Sequence, residues 1–300
     1  MIDWPSYNKS LVRRGEMLFS YDFLDGWDYE LHRMNEGKKG KPFVFPNSFI
    51  LTIGYIRYSF HLPYRQTEGI INATGKKLPD KSPSYGHICK RINKLNIDIK
   101  KEPIDDDDDY VVISIDSTGI KITNRGQWMS EKWGKQNKRC HLKIHVAIDI
   151  KTKEILALEV TDGKTHDGKV LRKLVNHVLD VSSREPNKIK IKSILADGAY
   201  DSNINFLYLE NKKIKPGIKV RKNSIISGRN NRLRNREVKL QSKDLLKRKT
   251  KRKYGHKWIA ETAFSTMKRT FGEHVSATRF QNTVKELMIK VSLYNLFRRI

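Results

Sequence analysis

The chain has 300 residues, and its 60 Lys and Arg against 33 Asp and Glu give a formal net charge of +27 at pH 7. Apolar residues make up 38 % of the chain, enough for a buried core, which excludes a wholly disordered protein. Two cysteines, Cys89 and Cys140, exclude a disulfide scaffold and a cysteine-rich zinc site. No apolar run approaches the roughly 18 residues of a membrane-spanning helix, and no signal-peptide pattern follows Met1. We therefore expect a cytoplasmic protein without membrane contact.

Much of the positive charge lies between Lys212 and Lys253, where eighteen Lys and Arg accompany two acids. Such a segment fits a solvated loop. It also fits an insertion that binds the DNA backbone, because each phosphate contact releases counterions. We favour the second interpretation, place the insertion at 221–253 and expect double-stranded DNA as the partner. Its candidate DNA contacts are Arg232, Arg234 and Arg236.

The N-terminal third is predicted to be helical, over 1–40, over 47–60 with Asn47 or Ser48 as the cap, and after Pro63. A further helix, predicted over 84–95, is amphipathic. Its basic residues are expected to face outward, which suggests a helix-turn-helix DNA-binding domain. An ordinary three-helix bundle with a solvated basic face would give the same pattern. The apolar stripe comprises Tyr85, Ile88, Ile92 and Leu95, and the candidate DNA contacts are Lys90, Arg91 and Lys94.

Five consecutive aspartates, Asp105–Asp109, follow this helical region. Such a run can suggest metal binding, but it is more typical of a solvated linker. We therefore predict a helical N-terminal domain over 1–103, an acidic linker over 104–109 and a second domain over 110–300. The first domain is expected to bind DNA, and it could also support dimerisation.

After the linker, apolar strands alternate with helices, and the first three strands are predicted to be antiparallel. The predicted elements are strands over 110–118, 142–149 and 155–161, a helix over 168–181, a strand over 191–197, a helix over 202–211, a strand over 214–220, and helices over 256–271 and 283–297. This order predicts an α/β fold in which helices flank a mixed sheet. Thr165 or Asp167 is expected to cap the helix at 168–181, and structural roles are assigned to His141, His145 and the His166–Asp167 pair.

Two acids stand at the ends of predicted apolar strands. Asp116 precedes Ser117, and Asp197 precedes Gly198. The strand ends of α/β sheets commonly hold functional sites, although an aspartate at a strand end often only caps a turn. Two such acids on one sheet strengthen the functional interpretation.

A third acid, Glu261, lies on the helix predicted over 256–271. At about 100° per residue it shares a narrow face with Tyr254, Lys257 and Lys268. This pattern suits a metal ligand beside phosphate-binding groups. It equally suits a surface glutamate paired with Lys257 one turn earlier, and the helix alone leaves both interpretations open.

Two aspartates and one glutamate suit the chemistry of phosphoryl transfer with two metal ions. Mg²⁺ prefers oxygen ligands and keeps several waters. Two such ions can activate the attacking oxygen and stabilise the leaving one. The sequence contains no phosphate-binding glycine loop of the GxxxxGK[ST] type.

Together these pieces resemble the DDE transposases of prokaryotic insertion sequences, in the group with a Tyr-Arg-Glu-Lys signature. The resemblance covers roughly 45–297. The matching pieces are Ile115–Thr118, Leu195–Asp201, Thr161–Asp167, Ala263–Glu273 and the spaced set Tyr254, Lys257, Glu261 and Lys268.

The resemblance implies a ribonuclease H-like catalytic domain with Asp116, Asp197 and Glu261 as the catalytic, metal-binding triad. It implies two Mg²⁺ or Mn²⁺ ions per site, no organic cofactor, cleavage at transposon ends and strand transfer to target DNA. It also implies that Tyr254, Lys257 and Lys268 contact DNA near the cleaved phosphate. Lys257 stands where the family has Arg, which keeps the charge but loses the bidentate geometry.

We expect an active transposase that pairs two transposon ends as a homodimer and associates with the nucleoid. Two alternatives stay open. The first is a DNA-binding protein derived from a transposase, which would use only 47–97 and the basic insertion. The second is a general nuclease of the same fold, which would cut without joining.

Overall fold

The computed structural model describes residues 3–74, 78–79, 82–99, 110–122, 141–183, 190–221, 223–226, 231–243 and 254–300. They form two compact units, one of residues 1–97 with 277–300 and the other of residues 98–276. The predicted acidic linker, 104–109, lies outside the described residues. The C-terminal residues 277–300, expected in the second domain, group with the N-terminal helices instead.

The first unit is helical within its described residues. Its helices are α1 (Trp4–Leu18), α2 (Trp27–Asn35), α3 (Asn47–Ser59), α4 (Tyr64–Thr74), α5 (Tyr85–Ile92) and the C-terminal helix (Phe280–Arg299). Trp27, Phe45 and Phe49 pack ring against ring in its core. Ile289 of the C-terminal helix belongs to the same core, and a β-carbon at Gly54 of α3 would come within 3.4 Å of it. This close packing explains why the C-terminal helix belongs to the first unit.

The start of α3 differs from the prediction. Pro46 occupies the cap position, and no side chain at that position accepts a hydrogen bond. Instead, the Glu30 carboxylate of α2 accepts hydrogen bonds from the amides of Asn47 at 2.9 Å and Ser48 at 3.2 Å. A carboxylate is favoured there because the first amides of a helix are unpaired and the helix dipole is positive at that end.

The helix-turn-helix interpretation stays a prediction. Since α4 ends at Thr74 and α5 begins at Tyr85, the connection is longer than the about three to four residues usual in that motif. The hydroxyl of Ser84 caps α5 by accepting a hydrogen bond from the amide of His87 at 3.3 Å. The predicted apolar stripe of this helix is buried except for Tyr85, which is exposed.

Within its described residues, the second unit is built on a six-stranded mixed sheet. Its strands are β1 (Tyr110–Ile122), β2 (His141–Asp149), β3 (Ile155–Asp162), β4 (Lys190–Ala196), β5 (Lys215–Ile218) and β6 (His274–Val275). They are ordered β3-β2-β1-β4-β5, with β6 beside β1. The first three strands are antiparallel, whereas β4 and β6 run parallel to β1, and β5 runs parallel to β4. This is the arrangement of the ribonuclease H-like fold, so the predicted fold class is confirmed.

Helices cover both faces of this sheet. They are α6 (Leu171–Ser183), α7 (Asn203–Asn211), α8 (Arg232–Lys243) and α9 (Trp258–Phe271). Ile113 and Ile115 of β1 join the core formed with α6 and α7, whereas Thr118 hydrogen-bonds to Lys268 of α9. Successive residues of a strand point to opposite faces, so α9 lies on one face and α6 and α7 lie on the other. None of the helices in the described ranges is long and apolar enough to cross a membrane.

Candidate active site

Asp116 of β1 and Asp197, the residue just after β4, lie at equivalent positions along two neighbouring parallel strands. The pairing of β1 with β4 ends where Ser114 faces Leu195, and each aspartate comes two residues later. Residues two apart along a strand point to the same face. This register therefore brings the two acids to the same face of the sheet, just beyond the end of the β1–β4 pairing. The sequence predicted both acids at strand ends, but β1 continues to Ile122, where β2 and β6 still pair with it.

A backbone amide holds each of these two carboxylates. The amide of Ser117 donates to Asp116 Oδ1 at 2.9 Å, and the amide of Ala199 donates to Asp197 Oδ1 at 2.9 Å. Asp197 therefore caps the single 3-10 turn Gly198–Tyr200. The turn-capping interpretation of Asp197 is correct locally, and it is compatible with a functional role because the second carboxylate oxygen is not used by the cap.

Lys257 joins two of the predicted acids. It lies at the start of α9, and its Nζ is 3.1 Å from Asp116 Oδ2 and 3.5 Å from Glu261 Oε1. The pair of Lys257 with Glu261 is the one-turn contact that the surface interpretation predicted, but the same ammonium also contacts a sheet acid. The structure thus connects Glu261 to Asp116 through a shared cation.

The surroundings of Lys257 favour the charged form of its side chain. Burial alone would lower the pKa of Lys257, but the carboxylates of Asp116, Asp197 and Glu261 together raise the pKa above its ordinary value. Only 16 % of the Lys257 side chain is exposed, against 67 % for Glu261. The ammonium is therefore a charged, largely buried group among three acids.

The two other residues of the spaced set lie on the same helix or just before it. Lys268 Nζ donates to Thr118 Oγ1 at 2.9 Å, two residues along β1 from Asp116 and on the same face. Tyr254 lies in the 3-10 turn Tyr254–Lys257 that precedes α9, and its side chain is outside the described part of the chain.

A further polar cluster lies on the opposite face of β1. Ser117 Oγ donates to Asp167 Oδ1 at 3.1 Å, and Lys143 Nζ lies 2.5 Å from the same oxygen. His145 Nδ1 lies 3.5 Å from it. Ser117 faces His145 in the antiparallel register, and Lys143 is two residues away, so these side chains share one face. We call Ser117, Lys143, His145 and Asp167 the Asp167 cluster.

His145 is the buried base of this cluster. Its side chain is fully buried, and its Nε2 is 2.9 Å from Thr161 Oγ1. Burial lowers the pKa of His145 to about 4, although Asp167 acts in the opposite direction. The ring is therefore neutral at pH 7, and its Nδ1 is near Asp167 without being aligned for a hydrogen bond.

The sequence does not predict this cluster. Thr165 or Asp167 was expected to cap the following helix, but the ring of His166 caps the 3-10 turn Asp167–Lys169 by accepting a hydrogen bond from the amide of Gly168 at 3.2 Å. The Asp167 carboxylate is thereby available for the strands. Alternating polar residues on the strand 142–149 indicated a polar face. The sequence alone could not show that Asp167, which comes after the next strand, contacts that face.

The chain matches known transposases. Residues 107–296 match a family model described as a transposase DDE domain, and residues 12–125 match a second model of the same description. The first match alone covers more than half of the chain. The chain belongs to the DDE transposase family.

Solved structures of two transposases are similar to this chain at low identity. One is the cryo-EM structure of a piggyBac transposase synaptic complex with hairpin DNA, with 10 % identity, a TM-score of 0.44 and coverage of 96 % of this chain and 74 % of the other. Another is the Drosophila P element transposase strand transfer complex, with 12 % identity, a TM-score of 0.31 and coverage of 63 % and 40 %.

DDE transposases generally use divalent metal ions, and the three acids of this transposase fit such ions by their chemistry. Carboxylate oxygens are the ligands that Mg²⁺ and Mn²⁺ prefer. Within the ranges that the structure describes, no three acidic, histidine or cysteine side chains are already arranged as a metal site. The ammonium of Lys257 lies between Asp116 and Glu261, where a metal ion would bind. It would have to move away for a metal ion to contact both carboxylates.

Arg91, a predicted DNA contact, was expected to face outward, but only 7 % of it is exposed. Its guanidinium donates to the carbonyl oxygen of Phe45 at 2.9 Å and to Asn47 Oδ1 at 2.8 Å. The physical reason is that a long arginine can satisfy buried acceptors at the start of α3. The neighbouring Lys90 and Lys94 are exposed as predicted.

Arg234, a second predicted DNA contact, forms an ion pair within the second unit. Its guanidinium is 2.8 Å from Asp201 Oδ1, and only 1 % of the Asp201 side chain is exposed. Ser224 Oγ and the amide of Arg221 also donate to this carboxylate. Burial would raise the pKa of Asp201, but these donors lower it. Because a buried carboxylate needs a paired cation, Arg234 attaches α8 to the sheet unit and does not extend into solvent.

The rest of the basic insertion is described in part. Arg232, Arg236 and Lys239 are exposed on α8, and their spacing of four and three residues places them on one face. Residues 222, 227–230 and 244–253 lie outside the described residues.

Proposed function

We propose that this transposase binds the ends of a prokaryotic insertion sequence, cleaves the DNA by two-metal phosphoryl transfer and joins the freed 3′ ends to target DNA. The observation that carries the proposal is the contact of Lys257 with both Asp116 and Glu261 beside Asp197. This shared lysine supports the proposal, because the reaction requires the acids to come together around cations.

In this proposal Asp116, Asp197 and Glu261 hold two divalent ions, Mg²⁺ or Mn²⁺. When bound, such ions polarise the phosphoryl group and favour the charged forms of the attacking and leaving oxygens. Asp116 has the central part, because its position lies beside Asp197 in the register and its Oδ2 already shares a cation with Glu261. Asp116 is therefore the acid best placed to serve both ions.

The two lysines have different parts. In the free protein, Lys257 acts as the counter-ion of the acids. When metal ions take its place beside the acids, its ammonium contacts a phosphate oxygen of the bound DNA. Lys268, fixed on Thr118, contributes a second positive charge to the same phosphate region. Tyr254 is proposed as a further DNA contact because it belongs to the same spaced set as Lys257 and Lys268.

DNA backbone binding is proposed for exposed basic residues away from the acids. The exposed face of α8 with Arg232 and Arg236 supports this part, since arginines on one helix face can follow a row of phosphates. Lys90 of α5 and Lys94, just beyond the end of this helix, are the corresponding candidates in the helical unit. Pairing two transposon ends requires two protomers, and we propose a homodimer on DNA.

The proposal is tested with a cleavage and joining assay on double-stranded DNA that carries the element ends, with Mg²⁺ and with EDTA. Glu261→Gln removes one acid of the triad, and we expect cleavage to fall about 1,000-fold, since an essential metal ligand is lost. Glu273→Gln is a matched control, because Glu273 is 65 % exposed and also lies near a lysine, Lys121. It should cleave like the wild type.

Each other outcome selects an alternative. Wild-type protein that binds the ends but never cuts them would be a DNA-binding protein on a catalytic fold. Protein that nicks any DNA equally and never joins strands would be a general nuclease. Equal activity of Glu261→Gln and Glu273→Gln would refute the assigned triad.

A further inference from the structure

The strand pairing stops short of the two sheet acids. The pairing of β1 with β4 ends at Ser114 and Leu195, two residues before Asp116 and Asp197 respectively. Ligands of a metal ion have to be held to within about 0.5 Å of their working positions. Any further link between these two positions therefore bears on how well the acids can share a cation.

One end of such a link lies at Asp116. The amide that donates to Asp116 Oδ1 belongs to Ser117, and the Oγ of the same residue donates to Asp167 Oδ1 at 3.1 Å. Asp167 begins the 3-10 turn Asp167–Lys169. The residue that holds the Asp116 carboxylate is thus itself attached to this turn, on the other face of β1.

The other end lies at Asp197. The amide of Ala199, in the 3-10 turn Gly198–Tyr200, donates to Asp197 Oδ1 at 2.9 Å. The two turns are in close contact, because a β-carbon at Gly168 would come within 3.0 Å of the carbonyl oxygen of Ala199. A glycine allows this approach of one backbone to another.

The side chain of Asn205 connects the two turns. It is buried, with 1 % of the residue exposed, and it lies on α7. Its Nδ2 donates to the carbonyl oxygen of Gly168 at 2.9 Å and to that of Tyr200 at 3.0 Å. A side-chain amide has two N–H donors, so a single group satisfies one carbonyl in each turn. The hydrogen bonds thus form a continuous bridge between the two residues whose amides hold the sheet acids.

We propose that Asn205 is a positioning residue, which fixes the spacing of Asp116 and Asp197 through the two turns and thereby sets the affinity of the site for divalent cations. It acts from α7, across the sheet from α9, and contacts neither the cation nor DNA. The inference rests on the proposed function, since it takes these aspartates as metal ligands. A purely structural role would change stability without a specific effect on metal affinity.

The test is a calorimetric titration of the full chain with Mn²⁺ alone, without DNA, at a temperature where each variant is folded. Asn205→Ala removes both donors without adding bulk. It should bind Mn²⁺ about tenfold more weakly than the wild type, since outer-shell partners typically contribute that much or more to metal affinity.

Asn231→Ala is the matched control. Asn231 is also buried, and its Nδ2 donates to the carbonyl oxygen of Asn203 at 3.0 Å. Both variants should have a lower thermal midpoint, because each leaves a buried carbonyl without its donor. Only Asn205→Ala should weaken the binding of Mn²⁺.

A second pair of variants tests the bridge at its other end. Ser117→Ala removes the hydroxyl that contacts Asp167 but keeps the amide that holds Asp116, so Mn²⁺ binding should weaken by about threefold, less than for an outer-shell partner lost outright. In the control Ser224→Ala, the lost hydroxyl donates to Asp201 Oδ2 at 2.9 Å, and Mn²⁺ affinity should stay that of the wild type. This pair decides the inference if Asn205→Ala does not fold.

Three results would overturn the inference. Wild-type affinity in a folded Asn205→Ala, or in Ser117→Ala, would show that the bridge does not serve the ion, while the metal site itself would stand. Equal losses of affinity in the variants and their matched controls would indicate a structural role. A wild-type chain that takes up no Mn²⁺ would refute the metal site of the proposed function as well, and the titration of Asp116→Asn beside it identifies that case, since the two curves would then coincide.

Discussion

Asp116 and Asp167 are both 15 % exposed and both paired with a lysine, yet they belong to different environments on opposite faces of β1. The lysine of Asp116 comes from the end of a helix and also contacts the exposed Glu261. The lysine of Asp167 comes from the adjacent strand, beside the fully buried His145. Equal exposure therefore does not mean equal surroundings: the lysine of Asp116 is shared with an exposed acid, whereas the lysine of Asp167 lies beside a buried histidine.

The largest expected effect is on catalysis at the first carboxylate. Asp116→Asn should reduce DNA cleavage about 1,000-fold or more, because a neutral amide binds a divalent ion poorly. Its free energy of unfolding should change by less than about 1 kcal/mol, since the amide oxygen still accepts from Ser117 and Lys257 retains Glu261. Cleavage assays and urea unfolding of the same preparation measure both. Cleavage by Asp116→Asn within tenfold of the wild-type rate would contradict the proposed difference in function between Asp116 and Asp167.

Next is a pH effect that should come from the second face. The pKa of His145 is lowered from 6.5 to about 4, mainly by burial, so below pH 6.5 the unfolded chain takes up a proton that the folded chain does not. Stability should therefore fall as the pH drops from 6.5 towards 4, by up to about 3 kcal/mol. Urea unfolding at pH 7, 5.5 and 4 measures this. In His145→Gln the decline over this interval should be smaller by that amount, and an unchanged decline would argue against the assignment.

The lysine at the first face should affect activity more than stability. Lys257→Met removes the charged contact and should lower cleavage about 30-fold, as expected for losing a hydrogen bond to a charged group. Lys257→Arg restores the residue of the family and its bidentate geometry, and it should cleave at least as well as the wild type. Cleavage rates at saturating Mg²⁺ compare the three proteins. Equal rates for Met and Arg would remove Lys257 from the site.

The smallest expected effect is on stability at the second face. Asp167→Asn leaves the Lys143 ammonium, 26 % exposed, without its anion. The free energy of unfolding should fall by about 2 kcal/mol, below the cost of breaking a fully buried pair because water still reaches the lysine. Lys143→Met in the same background should recover part of the loss, because the stranded charge is removed. A neutral Asp167→Asn would mean that the pair contributes little.

Much of the fold and part of the site could be predicted from the sequence. Apolar alternation and strand length identified the strands and the mixed α/β fold, because both patterns are local. Asp116 and Asp197 stood out for the same reason, each beside an apolar strand. The helix face shared by Lys257, Glu261 and Lys268 followed from the helical repeat alone.

The predictions that were wrong concern side chains whose partners are distant in the chain. Arg91 and Arg234 have the pattern of solvent-facing basic residues, but buried acceptors 46 and 33 residues away bind their guanidinium groups. The cap of α3 comes from Glu30, 17 residues earlier. Periodicity describes which face of an element a residue occupies, but it carries no information on what another element brings to that face.

The sequence by itself determined most element types and the sheet class, and it singled out Asp116 and Asp197, because hydrophobic repeats and strand-end positions act over a few residues. Only the tertiary structure decided that Lys257 joins Asp116 to Glu261 and that Asp167 contacts side chains on the opposite face of β1. These outcomes depend on strand register and on helices packed across the sheet. Long-range packing sets both, and it brings together charges that lie tens of residues apart in the chain.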